Sequence, residues 1–326
     1  MHLRHVRLLG VAVVIAIAAV PQLASAQTYP DRAVRVIVPA APGGPSDIMG
    51  RIIAQKLSEA WGQQFVVENM PTGAGNVGVG MVAKAPPDGY TILTPTSAVI
   101  VNPSLYARLP YDTVRDFAAV TNAAASPHVL TVNPSVPAKT VGEFIALVKA
   151  NPGKYSYASP GTGTTGQLAG ELFRLSLGLD LVHVPFNGGA PAATATVGGH
   201  TQVMFSALPS TATFIKDGAL RALAVTSAKR DPAFPDVPTL TESGIPDQES
   251  EFIQAVLVPT GTAKPIIDKL YREIARIVAL PEVKQRLAAI GYTPVANTPE
   301  EFTAQIKADV ARWAKVIRDA GIKQIE

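Results

Sequence analysis

Short apolar runs alternate with helical apolar stripes along most of the chain. Three runs of strand length, rich in β-branched side chains, occupy residues 34–38, 65–69 and 90–93. Between the first two runs, isoleucine and leucine recur at helical spacing, which predicts a helix over residues 46–61. Strands that alternate with helices in this way indicate a parallel, doubly wound α/β sheet.

A second set of elements repeats this plan. Strands are predicted at residues 155–158, 181–186, 203–206 and 221–226. A helix at residues 140–150 begins with the capping-box pair Thr140 and Glu143, and a further helix begins at Gly166. Residues 102–112 and 231–246, which are rich in Pro and Asp, are predicted to be irregular.

Two segments should carry the chain between the two sets of elements, at residues 121–128 and 256–259. After the second segment, three amphipathic helices are predicted at residues 265–279, 281–290 and 298–321. We therefore expect two doubly wound α/β domains joined by crossing strands. The expected boundaries are residues 27–124 plus 253–326 for the first domain and residues 125–252 for the second.

A Gly/Pro loop, residues 39–47, lies between the first strand and the first helix and is called the first loop. Residues 159–166, the second loop, repeat this arrangement with Gly161, Gly163 and Gly166. Because the start of a helix leaves backbone N–H groups unpaired and favours negative charge, each loop can hold a small anion. An ordinary strand-to-helix connection is the alternative for either loop alone. The repetition favours a binding role.

The second loop also satisfies the glycine spacing of dinucleotide-binding proteins. That spacing is specific only when an acidic residue follows at the end of the next strand, where it holds a ribose. The next strand ends in Asn187, Gly188 and Gly189, with no acid. We therefore expect no nucleotide cofactor.

The first 26 residues have the pattern of a secretory signal peptide. Arg4 and Arg7 precede an apolar run that is too short for a membrane span, and Ala24-Ser25-Ala26 provides small residues for cleavage. We expect cleavage near Ala26 and export to a bacterial periplasm. The remaining 300 residues carry 26 basic and 25 acidic side chains, and no basic patch indicates nucleic-acid binding.

The sequence contains few of the residue patterns that are typical of catalytic sites. The chain has no cysteine, which excludes disulfides, thiol chemistry and cysteine metal sites. After the leader, the histidines are His128, His183 and His200, whose spacing matches no metal motif. Each is expected to be a surface or core residue whose replacement leaves binding unchanged. We expect no metal, no cofactor and no enzymatic activity.

The chain resembles the substrate-binding proteins of the tripartite tricarboxylate transporter family, the Bug-type periplasmic receptors. The similar motifs span nearly all of the chain after the leader. They are Tyr29-Pro30, Val36-Ile37-Val38-Pro39, Ala41-Pro42-Gly43-Gly44, Ser46-Asp47, Val67-Glu68-Asn69, Lys84-Ala85-Pro86-Pro87-Asp88-Gly89-Tyr90, Asn102-Pro103-Ser104-Leu105-Tyr106, Pro110-Tyr111-Asp112, Gly198-Gly199, Arg221-Ala222-Leu223-Ala224-Val225-Thr226, Asp236-Val237-Pro238-Thr239 and Val258-Pro259-Thr260-Gly261-Thr262.

The resemblance implies two α/β domains that close on a ligand like a flytrap, as in type II periplasmic binding proteins. It also implies delivery to a membrane permease with one large and one small subunit, and we expect the receptor to be a monomer. In this family the two loops hold a ligand carboxylate. The expected ligand-binding residues are Ala40, Ala41, Pro42, Gly43, Gly44, Ser46, Asp47, Thr96, Ser97, Gly161, Gly163, Thr164, Thr165, Asn187 and Ser206.

Several positions depart from the usual pattern of the family. Pro45 replaces a common Gly, Gln167 a frequent His, and Asn187 a common Lys. Phe252 lies close in sequence to a position where members of the family frequently have Trp. Ser206 stands where many relatives have Asp, which could hold an amino group, so an amino-acid ligand is disfavoured.

The expected function is therefore periplasmic capture of a small organic carboxylate, either a dicarboxylate or an aromatic acid. An exported α/β enzyme such as a hydrolase is the alternative from another class, but it would need a nucleophile with a base in reach. A ligand sensor that serves a signalling system is a third possibility, which the sequence does not separate from transport.

Overall fold

The computed structural model describes residues 29–43 and 45–326. The predicted leader and Gly44 lie outside the described residues. Contacts divide the chain into residues 1–31, of which residues 29–31 form neither helix nor strand, and a compact unit of residues 32–326. All helices and strands given below belong to the second unit.

Most predicted elements are present at the predicted places. The strands are β1 (Val34–Val38), β2 (Phe65–Asn69), β3 (Thr91–Leu93), β4 (Phe117–Val132), β5 (Tyr155–Ser159), β6 (Leu181–Pro185), β7 (Val203–Ala207), β8 (Arg221–Val225), β9 (Glu251–Pro259) and β10 (Thr293–Pro294). The helices are α1 (Pro45–Trp61), α2 (Asn76–Ala83), α3 (Ala98–Leu105), α4 (Val141–Ala150), α5 (Thr165–Leu177), α6 (Gly189–Val197), α7 (Ala212–Lys216), α8 (Lys264–Ala279), α9 (Pro281–Ala289) and α10 (Pro299–Asp319), with a 3₁₀ turn at Leu208–Ser210.

The strands of the described residues join into one mixed sheet. The order is β2-β1-β3-β9-β4-β7-β5-β6, and β8 and β10 also pair with β4. Pairing is parallel at the two ends, where helices connect β1 to β2 and β5 to β6, and antiparallel around β4 and β9. The predicted α/β fold class is confirmed, with parallel strands confined to the outer parts of the sheet.

β4 and β9 form the centre of the sheet and connect its two ends. The crossing expected at residues 121–128 lies within β4, which is one continuous strand of 16 residues. Its pairing with β9 shifts register at Ala119/Thr121 and at Asn122/Ala124. Such bulges bend a strand and increase its twist, which lets one long strand serve both ends of the sheet.

Two large hydrophobic clusters flank this centre. One gathers side chains of α3, β9 and α10, including Leu105, Leu257 and Trp313. The other gathers α4, β5 and part of α5, including Phe144, Tyr157 and Phe173. Leu168 of α5 is fully buried in the first cluster, although Phe173 of the same helix belongs to the second. Helix α5 thus joins the two clusters.

Two helices were not predicted. Helix α3 contains Pro103, whose missing N–H would otherwise bond to the carbonyl of Val99. The buried hydroxyl of Thr113 donates to that carbonyl instead, at 2.5 Å. Helix α6 consists of Gly, Ala, Thr, Pro and Val and lacks a clear apolar stripe. No helix in the described part of the chain is both long and apolar enough to cross a membrane.

Candidate functional site

Three helices begin at the same partly open cavity of about 180 Å³, called here the main cavity. Pro45 at the start of α1, Thr165 at the start of α5 and Gly189 at the start of α6 all line it. The complete lining consists of Pro45, His128, Pro160, Thr164, Thr165, Gly166, Gly189, Ser206, Ala207, Pro209, Ser210, Phe252 and Tyr292. Much of this surface is apolar, and its polar groups are clustered near the helix starts.

The described lining contains no Lys, Arg, Asp or Glu. Its electrostatic character therefore comes from backbone N–H groups and helix dipoles, which favour a negative charge at a helix start. Such helix starts can hold a small anion, for example a carboxylate, through their backbone N–H groups.

The second loop lines the main cavity with Pro160, Thr164, Thr165 and Gly166. Thr164 caps α5, because its hydroxyl accepts from the N–H of Gln167 at 3.3 Å and donates to the carbonyl of Gly161 at 2.8 Å. The N–H of Gly163 donates to the side-chain oxygen of Gln167 at 2.6 Å. Gly163 has a φ of +78°, which favours glycine.

The buried side chain of Asp47, with Arg51 and Asn69, holds the first loop in place. One carboxylate oxygen of Asp47 accepts from the N–H of Gly43 and from Arg51, each at 2.9 Å. Its other oxygen accepts from Asn69, which also donates to the carbonyl of Ala40. Burial raises the pKa of Asp47, but hydrogen bonds from Arg51, Gly43 and Asn69 outweigh burial and keep that pKa below its usual range.

Asp47 and the N–H of Gly43 therefore stabilise the loop itself. Ala40, Ala41, Pro42, Gly43, Ser46, Asp47 and Gly161 lie outside the linings of both cavities described here. The hydroxyl of Ser46 is buried beside Pro45 and has no hydrogen-bond partner in the described residues.

A second cavity of about 210 Å³ lies on the other side of the second loop. Thr96 and Ser97 line it, together with Gly163 and the start of α3. It shares Thr164, Thr165 and Phe252 with the main cavity. The hydroxyl of Ser97 accepts from the N–H of Ile253 at 2.9 Å, so its main contact is structural.

The two remaining predicted residues differ in position. Ser206, at the end of β7, is fully buried in the lining of the main cavity, and its hydroxyl has no partner among the described residues. Asn187 is exposed after β6 and lines neither cavity. The structure thus brings together Thr164, Thr165 and Ser206 in the main cavity.

His128, expected from the sequence to be only a surface or core residue, lines the main cavity. Its Nδ1 lies 3.2 Å from the carbonyl oxygen of Ser250 and 3.0 Å from the hydroxyl of the same residue. A proton on Nδ1 suits both contacts, because the carbonyl can only accept and the hydroxyl can also accept. Nε2 consequently accepts from the hydroxyl of Thr165 at 3.0 Å. Burial lowers the pKa of His128 to about 4, helped by nearby Arg312 and opposed by the bond to Ser250. His128 is neutral at pH 7 and orients Thr165.

Other lining residues had weak or no sequence signals. Gly189, which lines the cavity, is the first residue of α6, and Gly188 before it follows β6, so the strand, glycine, helix pattern occurs a third time. Tyr292 follows Gly291 after α9, and no local pattern indicates that it reaches this cavity. Among the described residues, no group of three His, Asp or Glu side chains could hold a metal ion.

Comparison with known proteins gives consistent results. The model of the family described as "Tripartite tricarboxylate transporter family receptor" matches residues 49–322. BugT of Bordetella pertussis is 36% identical over 320 residues, covering 97% of this chain and 98% of BugT.

Two solved structures are similar along their full lengths. An R. palustris protein solved with adipate is 34% identical, with a TM-score of 0.76, and the match covers 91% of this chain and 100% of that one. MatC from Rhodopseudomonas palustris, with bound malate, is 29% identical, with a TM-score of 0.70 over 89% of this chain and 100% of MatC.

Proposed function

Because the chain belongs to the tripartite tricarboxylate transporter receptor family, we propose that it is a solute-binding receptor that captures a small organic carboxylate in the main cavity. The observation that carries this proposal is the meeting of three helix starts at one cavity whose described lining has no charged side chain. Backbone N–H groups at the starts of α5 and α6 would bind the carboxylate, and bridging water would complete its hydrogen bonds. Pro45, the lining residue of α1, has no N–H, so α1 would contribute through its dipole.

The rest of the ligand would lie against the apolar part of the lining. The rings of Phe252 and Tyr292 are tilted against each other, with centroids 6.4 Å apart, and prolines complete this surface. The unpartnered hydroxyl of Ser206 would also bond a polar group of the ligand, because a buried hydroxyl without a partner is unfavourable. A neutral residue here disfavours an amino-acid ligand.

Two ligand classes fit this arrangement, and both remain in the proposal. A dicarboxylate is supported by the adipate and malate of the two similar structures. Its second carboxylate could lie at Ser206 or reach past the second loop toward Thr96 and the start of α3. An aromatic acid is supported by Phe252, Tyr292 and the prolines, which offer faces for stacking.

The remaining features of the receptor are proposed on the same basis. The leader at residues 1–26 would direct the protein to the periplasm, where it would deliver its ligand as a monomer to a permease of one large and one small subunit. Two lobes, residues 27–124 plus 253–326 and residues 125–252, would close on the ligand. The passage of β4 and β9 through the middle of the sheet supports this division.

An enzyme remains the alternative from another class, and one pair bears on it. Thr165 and Nε2 of His128 are within hydrogen-bond distance, as a nucleophile and a base would be. However, a His whose pKa is about 4 is a poor base at neutral pH, and a carbonyl replaces the usual orienting carboxylate. We therefore expect binding without turnover. A sensor role would be distinguished by the neighbouring genes, since adjacent permease genes favour transport.

The proposal is tested by thermal shift with adipate, malate and benzoate, with glucose and putrescine as controls. A ligand present at 100 times its Kd stabilises the folded state by about 2.7 kcal/mol. We expect at least one acid to raise the melting temperature while neither control does. A shift with glucose or putrescine alone would contradict the proposal, and conversion of a bound acid, followed by NMR, would favour the enzyme.

Two matched variants locate the site. Ser206→Asp places a carboxylate in the lining and should weaken binding of the stabilising acid by at least about tenfold, because like charges repel strongly in a partly buried site. Asn187→Asp adds the same charge at an exposed position outside the lining and should change affinity little. If both variants changed affinity equally, the ligand would have to bind outside the main cavity.

A further inference from the structure

Gln167, in the first turn of α5, connects the second loop to a half-buried histidine, His183. Its side-chain oxygen accepts from the N–H of Gly163 at 2.6 Å, and its side-chain nitrogen lies 3.2 Å from Nδ1 of His183. A backbone N–H can only donate, so the oxygen of Gln167 must face Gly163 and the NH₂ group must face His183. The orientation of this amide is therefore fixed by its neighbours.

This orientation also fixes the protonation of His183. Nδ1 must accept from Gln167, so the imidazole proton lies on Nε2, which is 2.7 Å from the hydroxyl of Ser159. The fully buried Ser159 lies within 3.3 Å of both the N–H and the carbonyl of Gly161. A chain of hydrogen bonds thus leaves the second loop at Gly163 and returns to it at Gly161.

The first loop has the same arrangement in a charged form. There, the N–H of Gly43 donates to a side chain four residues later, the carboxylate of Asp47, whose charge Arg51 balances. In the second loop Gln167 provides the acceptor without a charge. A carboxylate at this position would repel an anion at the start of α5, so the neutral amide preserves the anion-binding character of that helix start.

We propose that Gln167 is a positioning residue for the second loop, and that protonation of His183 reverses its amide and releases the Gly163 end of the loop. The inference rests on the proposed function only in that this loop is the ligand-binding one. A proton on Nδ1 would face the NH₂ group of Gln167, two donors in contact. Rotation of the amide relieves that contact but turns the NH₂ group toward the N–H of Gly163.

The groups around His183 determine that its protonation occurs at acidic pH. Burial lowers the pKa of His183, whereas the carboxylate of Glu171 acts in the opposite direction. That carboxylate is paired with Arg174 and accepts from the hydroxyl of Tyr157, whose ring lies against the imidazole with centroids 4.9 Å apart. His183 is therefore neutral at pH 7, and it becomes protonated at a lower pH than an ordinary histidine does.

The test uses the ligand-free, ¹⁵N-labelled protein, so that it does not depend on any ligand. At pH 7.5, NMR should show the imidazole proton of His183 on Nε2. Exchange of the Gly163 amide proton, normalised to its intrinsic rate, should be slow at pH 7.5 and rise about fivefold as His183 becomes protonated, the factor expected for one lost hydrogen bond. A proton on Nδ1, or exchange that does not follow His183, would overturn the proposal.

Three variants provide independent readouts. Gln167→Leu, or Gln167→Met if the first variant does not fold, should show fast Gly163 exchange at both pH values. His183→Asn keeps an acceptor oxygen for Gln167 but cannot be protonated in this range, so exchange should stay slow at acidic pH. His200→Asn, at an exposed position, should behave like the unmodified protein. An acid-induced rise that persists in His183→Asn would overturn the proposal.

Binding gives a second, separable readout. If the stabilising acid is adipate, calorimetry at pH 7.5 should show affinity about fivefold weaker for Gln167→Leu than for the unmodified chain. Failure of every acid in the thermal-shift panel would count against the proposed function alone, because Gly163 exchange still decides the role of Gln167.

Discussion

At the scale of single residues, the central glycines of the two loops look equivalent in sequence but differ in their surroundings. Both have positive φ, +84° at Gly43 and +78° at Gly163. A Cβ at Gly43 would meet nothing within 4 Å, whereas one at Gly163 would lie 2.0 Å from Cδ2 of Leu105 on α3. The second loop is therefore packed tightly against a helix from the other end of the sheet.

This difference predicts unequal effects of alanine. Gly43→Ala should cost about 1 kcal/mol through backbone strain alone. Gly163→Ala should cost more, because Leu105 must also move. Urea unfolding would measure both, and adding Leu105→Ala should recover part of the loss at Gly163 and none at Gly43. Equal losses, or recovery at both positions, would contradict the contact.

His128 predicts a pH dependence of stability. An unfolded His has a pKa of about 6.5, and burial lowers the folded value to about 4. A depressed pKa means that the stabilisation is complete above pH 6.5 and is lost as pH falls toward 4, because the unfolded chain then binds the proton more readily. The loss over this range is about 3 kcal/mol.

The measurement compares urea unfolding at pH 7 and pH 4.5 for the unmodified chain and for His128→Gln. The variant should be less stable at pH 7 but should lose less between the two pH values. Parallel losses in both proteins would show that other groups dominate. Because His128 also orients Thr165, the earlier expectation that its replacement leaves binding unchanged is revised to a loss of about fivefold.

At the scale of elements, α3 shows how a distant side chain permits an unfavourable residue. Pro103 interrupts the hydrogen bonds of the helix, and Thr113 restores a donor to the carbonyl of Val99. Thr113→Val should leave that buried carbonyl unpaired and cost about 1–3 kcal/mol. Thr194→Val is the matched control, since exposed Thr194 donates to the carbonyl of Ala190 within α6. A cost at Thr194 as large as at Thr113 would refute this role.

At the scale of the whole molecule, α5 connects the two proposed lobes. Its first turn lines the main cavity, and Leu168, one turn later, is buried in the cluster formed by α3, β9 and α10. The described structure therefore has the second loop packed against the opposite end of the sheet. Separation of the lobes would expose Leu168 and Leu105 to water.

Truncation of Leu168 should therefore favour an open arrangement. Leu168→Ala removes about 2–5 kcal/mol of buried packing, and the ligand-free variant should have a larger radius of gyration in small-angle X-ray scattering. Leu175→Ala, at a partly exposed position on the same helix, should leave that radius unchanged. An unchanged radius in Leu168→Ala would argue against opening at this contact.

The sequence by itself determined the fold class, the positions of most elements and the two glycine loops. These features are local, since strand runs, helical stripes, capping pairs such as Thr298 with Glu301, and positive-φ glycines depend on neighbouring residues. The two missed helices follow the same logic. Helix α3 depends on Thr113, ten residues after Pro103, and α6 lacks an apolar stripe that could announce it.

Only the tertiary structure decided which side chains face the main cavity. His128, Ser206, Phe252 and Tyr292 come from segments far apart in sequence, and the crossing of β4 and β9 brings them together. The same applies to hydrogen-bond roles: Asp47 and Gln167 take up the N–H groups of Gly43 and Gly163, so these glycines do not offer free donors. Sequence spacing locates a loop, but packing determines which of its polar groups remain available, because most buried donors are paired with an acceptor.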